Sequence, residues 1–436
     1  METSGPVATR RRPWRKATLC TAAVAAAALA LAACSSSGSS SSVGGGTSAT
    51  GAAGSSSSPQ GGTITLGVVA PFEGALAATG TQMMDGAKIA VSQINAKGGV
   101  LGKKLVLSTV NETGNAVDAA TAVRTLAGQG VHLMLGFALT PDCTAAAPVA
   151  QQDQSIFLGN CTGDQFRNAS QYPAFWSVSS DNSMQAAASA YVAGRLFHPT
   201  EVDTFAYDYA EGHSAWTDIQ GDLKGIGLSF TSPVQTFVPL TSTDYSAQVS
   251  AISRDLSSSS AKRVLALLTY GSGTLTFLKQ AQQYNVLSKF SGVFADGEYY
   301  LGAQALGATA PSVWNSYDYC DWQAYTNSAN KTFAQQFYTA NKSYPTDWAE
   351  QGYTEVLTYA EAIGHANSNS VSSVVSALSS MTVTDTPIGN FNFNTSTHEA
   401  NMNVVSCEIK GNSAAPAGLQ MVKAEFVSPS VTTAKS

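Results

Sequence analysis

The stretch EGALAATGTQMMDGAKIAVSQINAKGGVLGKKLVL, Glu73 to Leu107, decides how the rest of the chain is read. Met83, Ala87, Ala90, Val91 and Ile94 fall at the spacing of one apolar helix face. Gly98 stands where a helix C-terminal cap belongs, and Gly102 permits the tight turn after it. The β-rich run TITLGVVA at Thr63–Ala70 precedes this helix, and KLVLSTV at Lys104–Val110 follows it. Apolar strands separated by an amphipathic helix are the unit of a parallel sheet covered on both faces.

The unit then repeats. AVDAATAVRTLAGQG at 116–130 reads as a helix ended by glycine, and VHLMLG and SIFLGN read as short buried strands around TAAAPVAQQ. From 203 the rhythm restarts. DTFAYD, VQTFVPL, VLALLTY and FSGVFAD read as strands; SAWTDIQGDLKGIG, DYSAQVSAISRDL and GTLTFLKQAQQYNV read as the helices between them. Helices return at KTFAQQFYTANK and GYTEVLTYAEAI, and the chain closes on the strand-like NVVSCEIKG and LQMVKAEF. The pattern predicts an α/β protein with two sheets of similar size. Ligands of such sheets sit at the carboxyl ends of the strands, so a cleft between two lobes is the expected pocket.

The amino end is of another kind. Arg10, Arg11, Arg12, Arg15 and Lys16 precede the apolar run Ala17–Ala33, the layout of a secretory signal. Leu31-Ala32-Ala33-Cys34 resembles a bacterial lipobox, which implies cleavage before Cys34 and lipidation of its thiol. Residues 34–62 are then a Ser/Gly tether, too poor in apolar side chains to fold and about 30 Å in root-mean-square reach. The expected location is outside the cell, on the outer face of the bacterial cytoplasmic membrane, with the lipid as the only membrane contact.

The 436 residues are 44% hydrophobic and 12% charged, with net charge −6. The signal holds five of the 23 basic residues and one of the 29 acidic ones, so the exported part is more acidic still. That balance argues against a nucleic-acid partner. Cys20 leaves with the signal. Cys143, Cys161, Cys320 and Cys407 remain, an even set suited to two disulfides outside the cytosol, with three pairings open. There is no CxxC, and no metal or cofactor is expected.

The opening stretch also resembles the type I periplasmic binding proteins, most closely the leucine/isoleucine/valine-binding receptors of ABC transporters. Gly80, Gly86-Ala87, Ile94-Asn95, Gly98-Gly99 and Gly102-Lys103 carry the likeness, continued by GVHLMLGFALTPDCTAAAPVAQQ, DYSAQVSAI and GYTEVLTYAEAI. It implies two doubly wound parallel-sheet lobes joined by a three-segment hinge. The first lobe is expected at 63–180 and 318–388, the second at 181–317 and 389–428, and a tail at 429–436. The crossings are expected near Ser177–Asp181, Trp314–Tyr319 and Pro387–Phe391. The resemblance implies a solute receptor that delivers to a permease and is not an enzyme. It also implies disulfides Cys143–Cys161 and Cys320–Cys407.

Carried onto this sequence, the family pattern places Thr140, Thr162 and the Cys161 backbone at a ligand carboxylate, and Asp296 (or Glu298) at an ammonium. Tyr270 and Tyr353 match aromatic positions near the pocket. Three departures stand out. Thr79 replaces a loop aromatic, Asn111-Glu112 replaces an acidic pair, and Glu211 precedes Gly212 where relatives often have tyrosine. A carboxylate there is costly to bury without a cation, so a ligand more polar or more cationic than leucine is expected. Two other readings are a two-lobed sensor for a signalling partner and a secreted hydrolase. The latter draws on Ser180-Asp181-Asn182 and on Ser259 to Lys262, but those motifs come in the wrong order for penicillin-recognising enzymes, and no Lys-Thr-Gly follows.

Overall fold

The computed structural model describes residues 61–256, 261–296 and 299–432. The chain first builds a five-stranded parallel sheet of order β2-β1-β3-β4-β5. Its strands are β1 (Thr63–Ala70), β2 (Lys104–Asn111), β3 (Leu133–Gly136), β4 (Ile156–Gly159) and β5 (Phe175–Trp176). Helices α1 (Ala77–Ala96), α2 (Ala116–Gly128) and α3 (Thr140–Gln152) make its crossovers. β3 and β4 are buried throughout, as strands covered on both faces must be.

After α4 (Asn182–Phe197) a second, seven-stranded sheet forms from β6 (Glu201–Tyr207), β7 (Gln235–Val238), β8 (Arg263–Leu268), β9 (Gly292–Asp296) and β10 (Val313–Tyr317). Helices α5 (Ala210–Gly225), α6 (Ser246–Leu256), α7 (Gly271–Gln283) and α8 (Tyr299–Leu306) connect these strands. The chain then returns to the first lobe with α9 (Ser328–Asn341), α10 (Asp347–Ala366) and α11 (Val371–Leu378), then the short pair β11 (Thr382–Val383) and β12 (Phe391–Asn392). It ends on β13 (Val404–Gly411) and β14 (Leu419–Val427), which complete the second sheet. β6 to β10 pair in parallel, as expected of a doubly wound lobe, and the last pair adds to them in antiparallel. β13 and β14 are joined by a hairpin, and a hairpin forces antiparallel pairing.

The motif glycines have separate jobs. Gly99 has φ +83°, and a Cβ there would meet the Lys103 carbonyl oxygen at 1.9 Å. Gly86 lets α10 lie directly on α1: a Cβ would stand 1.8 Å from the Ala349 oxygen, and Gly352 faces Met83 in the same way. Gly86→Ala is therefore expected to push the two helices apart and cost about 1–3 kcal/mol, read as a lower denaturation midpoint at unchanged m-value. An effect under about 0.5 kcal/mol would mean that the contact is loose.

The lobes meet at three crossings. Asp318, in the second, accepts from the Ser180 backbone N–H (3.1 Å) and hydroxyl (3.0 Å) in the first, and from Gln351 Nε2 (3.4 Å) on α10. Burial pushes its carboxyl up to about 6, while these donors pull it back. Arg167 pairs with Asp181 (2.9 Å) and Glu399 (3.3 Å), tying the first crossing to the segment that leads into the third. Asp181 also caps α4 through the Met184 N–H, so the Ser-Asp-Asn triplet serves the hinge and a helix start.

The third crossing falls at 400–404, later than the expected Pro387–Phe391. Phe393 and His398 pack on Trp176, and Ser177 bridges to Glu399, so residues 389–400 belong with the first sheet. The disulfides are Cys143–Cys161 and Cys320–Cys407, as expected, with Cα atoms 6.2 and 5.8 Å apart.

Candidate functional site

Several helices of both lobes begin at one place. Thr140 opens α3 after β3, and Thr162 follows β4. From the other side Tyr209 precedes α5, Tyr270 precedes α7, and Asn182 opens α4. Between them lies a cavity of about 70 Å³. The first lobe lines it with Leu76, Thr79, Ala138, Leu139, Thr140, Asn160, Thr162 and Trp348. The second contributes Asn182, Gln185, Tyr209, Glu211, Gly212, Ala215, Leu268, Tyr270 and Tyr317. The surface is mostly apolar with a few polar groups, the make-up of a small-molecule site.

The lobes are shut on this cavity by direct bonds. The Thr162 hydroxyl donates to Glu211 Oε1, which also accepts from Asn182 Nδ2 at 3.1 Å. The Asn182 N–H donates to the Thr162 carbonyl at 2.8 Å. Ser183 adds two bonds to Asp164, from its N–H (3.0 Å) and its hydroxyl (2.7 Å). The Tyr270 hydroxyl donates to Tyr209 at 3.0 Å, joining two rings into one wall.

Three lining residues carry buried polar atoms with no partner among the described residues: Thr140 Oγ1, Asn160 Oδ1 and Trp348 Nε1. Buried polar atoms are nearly always paired, so three unpaired ones on residues lining one cavity need an explanation.

Of the residues singled out in the sequence, Thr79, Thr140, Thr162, Glu211 and Tyr270 line the cavity. Cys161 does not; it is buried and bonded to Cys143, which holds the loop of Thr162 against α3. Tyr353 also lies elsewhere. Its hydroxyl donates to Gln93 at 2.7 Å, and its ring packs on Phe333. The cause is helical phase: Trp348 on α10 faces the cavity, and a residue five positions on points about 140° away. The side chain of Asp296, and all of Glu298, fall outside the described residues. Asn160, Gln185, Tyr209, Tyr317 and Trp348 also line it without a sequence motif of their own, and Asn182, which the sequence marks only within the hydrolase-like triplet, lines it too. Asn160 and Tyr209 stand at strand ends, a signal that was available.

Behind the wall of Ala138 to Thr140 lies a buried acid pair. Glu112 is fully buried and accepts from the Ala138 N–H at 3.4 Å; Asp142 accepts from the Leu139 N–H at 3.2 Å. Burial, then the neighbouring Asp142 charge, pushes the Glu112 carboxyl up to about 9. A folded-state value above the unfolded one favours the fold at low pH, and that stability is lost as pH rises from about 4.5 toward 9. Glu112→Gln keeps a neutral side chain at every pH. Its melting temperature is expected to match the parent near pH 5 and exceed it near pH 9; parallel pH profiles would refute this.

Two α/β lobes shut on a cavity that both of them line define a two-lobed binding protein. The chain belongs to the periplasmic binding protein family, which it matches over residues 63–415. A Leu/Ile/Val-binding protein of Rhizobium johnstonii is 40% identical over 73 residues, covering 17% of this chain and 20% of that protein. The matched part is thus a fifth of that relative's length. Leu/Ile/Val-binding protein homolog 6 of Brucella melitensis is 24% identical over 310 residues, 69% of this chain and 76% of that one. Among solved structures, an ABC-transporter solute binding protein of Rhodopseudomonas palustris, in complex with 3,4-dihydroxybenzoic acid, shares the fold. Its TM-score is 0.72 at 18% identity, over 84% of this chain and 98% of that one. Among the described residues no helix is long and apolar enough to cross a membrane.

Proposed function

We propose that this chain is an extracytoplasmic receptor that captures a small polar or amino-acid-like solute between its lobes. It hands the solute, chemically unchanged, to an ABC permease. The observation that carries the reading is the cavity lined from both lobes, with Thr140, Asn160 and Trp348 in its lining carrying buried polar atoms that have no partner among the described residues. A solute bonded to them would favour the shut form, and hinge closure around a ligand is how such a receptor signals occupancy. Relatives named for leucine, isoleucine and valine support an amino-acid-like size. In the same reading, residues 1–33 direct export and a lipid on Cys34 anchors the tether; these positions lie outside the described residues.

The test is a thermal-shift screen of the full chain against amino acids, amides, amines and aromatic acids. A solute at 100 times its dissociation constant should add about 2.7 kcal/mol of stability. A library that leaves the melting temperature unmoved throughout would overturn the receptor reading.

A further inference from the structure

Glu211 occupies an unusual post. Its Oε1 takes the Thr162 hydroxyl and the Asn182 amide, so the protein's own carboxylate sits where a ligand carboxylate would otherwise find its donors. The positive N-terminal ends of α3, α4 and α5 meet in this region, and Glu211, in the first turn of α5, already answers them. A second anion placed there would face a like charge in a confined, partly desolvated space. Among the described residues lining the cavity, Glu211 is the only charged side chain.

The remainder of the wall is aromatic. Tyr209, Tyr270 and Tyr317 reach the cavity from the second lobe and Trp348 from the first. Tyrosine and tryptophan faces attract cations through the ring quadrupole, most strongly where water is excluded, and cages of such rings recognise organic ammonium groups. Both hydrogen bonds to Glu211 fall on Oε1, which leaves Oε2 for a ligand N–H or for a cationic headgroup.

Resting on the receptor reading above, we propose that the cleft selects a compact organic cation. Its ammonium group is held by Glu211 and enclosed by the rings of Tyr209, Tyr270, Tyr317 and Trp348, with no ligand carboxylate on Thr162. Glu211 is thus the residue that sets the sign of charge accepted.

The test uses matched solutes on the full chain by calorimetry: choline against its uncharged isostere 3,3-dimethylbutan-1-ol, and putrescine against butane-1,4-diol. L-Isoleucine and 3,4-dihydroxybenzoate are the carboxylate probes. At least one cation is expected to bind, with its neutral counterpart weaker by about tenfold or more. Glu211→Gln keeps an acceptor for Thr162 and Asn182, so its ligand-free melting temperature should stay close to the parent's while cation affinity falls by about tenfold. The matched pairs read the charge on the unaltered chain, whatever the variant does to folding. If the carboxylates bind and the cations do not, the inference fails and the receptor reading stands. Cation binding that Glu211→Gln leaves intact would also overturn it. If no solute of any class binds, the receptor reading itself fails.

Discussion

Arg263→Met is expected to destabilise the protein by about 3–5 kcal/mol, seen as a lower denaturation midpoint of the full chain. Arg263 opens β8 and is 2% exposed; Asp203 on the neighbouring β6 is fully buried. The guanidinium grips that carboxylate with two bonds, Nε to Oδ2 at 2.7 Å and Nη2 to Oδ1 at 3.0 Å. Asp255 and Glu201 add charge from the rim. Burial pushes the Asp203 carboxyl up and Arg263 pulls it back, so removing the arginine strands a charge in the interior. The loss would come mainly from that stranded charge, because an ion pair this deep is worth little over apolar packing. Arg263→Met with Asp203→Asn should therefore recover half of it or more, since the amide is neutral and its oxygen can still accept from the Val234 N–H, now 3.1 Å from Asp203 Oδ1. A single-variant loss below about 1 kcal/mol, or no recovery in the double variant, would refute this.

The two-sheet architecture was legible because it rests on local signals. The apolar face of α1, the glycines after it and the short buried strands each follow from a few consecutive residues. Thr140 and Thr162 are placed at the cleft by the family resemblance, and their positions just past parallel strands, which gather at one edge of the sheet, are consistent with it. What α10 presents to the cavity could not be read this way. Its rotation is set by the approach of Gly86 to Ala349 and of Gly352 to Met83, a contact across more than 260 residues. That contact turns Trp348 inward and Tyr353 toward Phe333. The periodicity of α10 gives its apolar face but not which neighbour each part of that face meets.

Glu211 shows the other side of this limit. As a bare sequence feature it raised the problem of a buried carboxylate without a cation. In the structure part of that need is met by the Thr162 hydroxyl and the Asn182 amide, donors from 49 and 29 residues away. The sign of the problem was readable from one residue; its solution needed both lobes. The Thr162 bond also draws the first lobe onto the second, so a residue suited to choosing a ligand helps to hold the jaws closed.

Trp176→Ala is expected to cost about 3–5 kcal/mol, and to loosen residues 391–400, which lead into the third crossing, more than the rest of the first lobe. Trp176 is fully buried at the end of β5, one residue before the first crossing begins. His398 stacks on its ring with centroids 3.7 Å apart, and Phe393 meets it edge-on at 5.2 Å. Burial lowers the His398 pKa, so a neutral imidazole suits this stack. The backbone follows the rings: Ser177 N–H donates to the His398 carbonyl at 3.1 Å, and Ala400 N–H to Ser177 at 3.0 Å. Alanine would leave a large void into which Phe393 and His398 could only partly collapse, and residues 391–400 would be left to their main-chain bonds with Ser177 and Ala169 and to the Arg167–Glu399 pair, without their wedge. Hydrogen exchange should therefore quicken in that segment while β1, β3 and β4 keep their protection. Trp176→Phe retains a ring and should lose less than half as much. Uniform exchange across the lobe, or a loss below about 1.5 kcal/mol, would show that the main-chain bonds and the Arg167–Glu399 pair hold the segment and that the aromatic wedge is incidental.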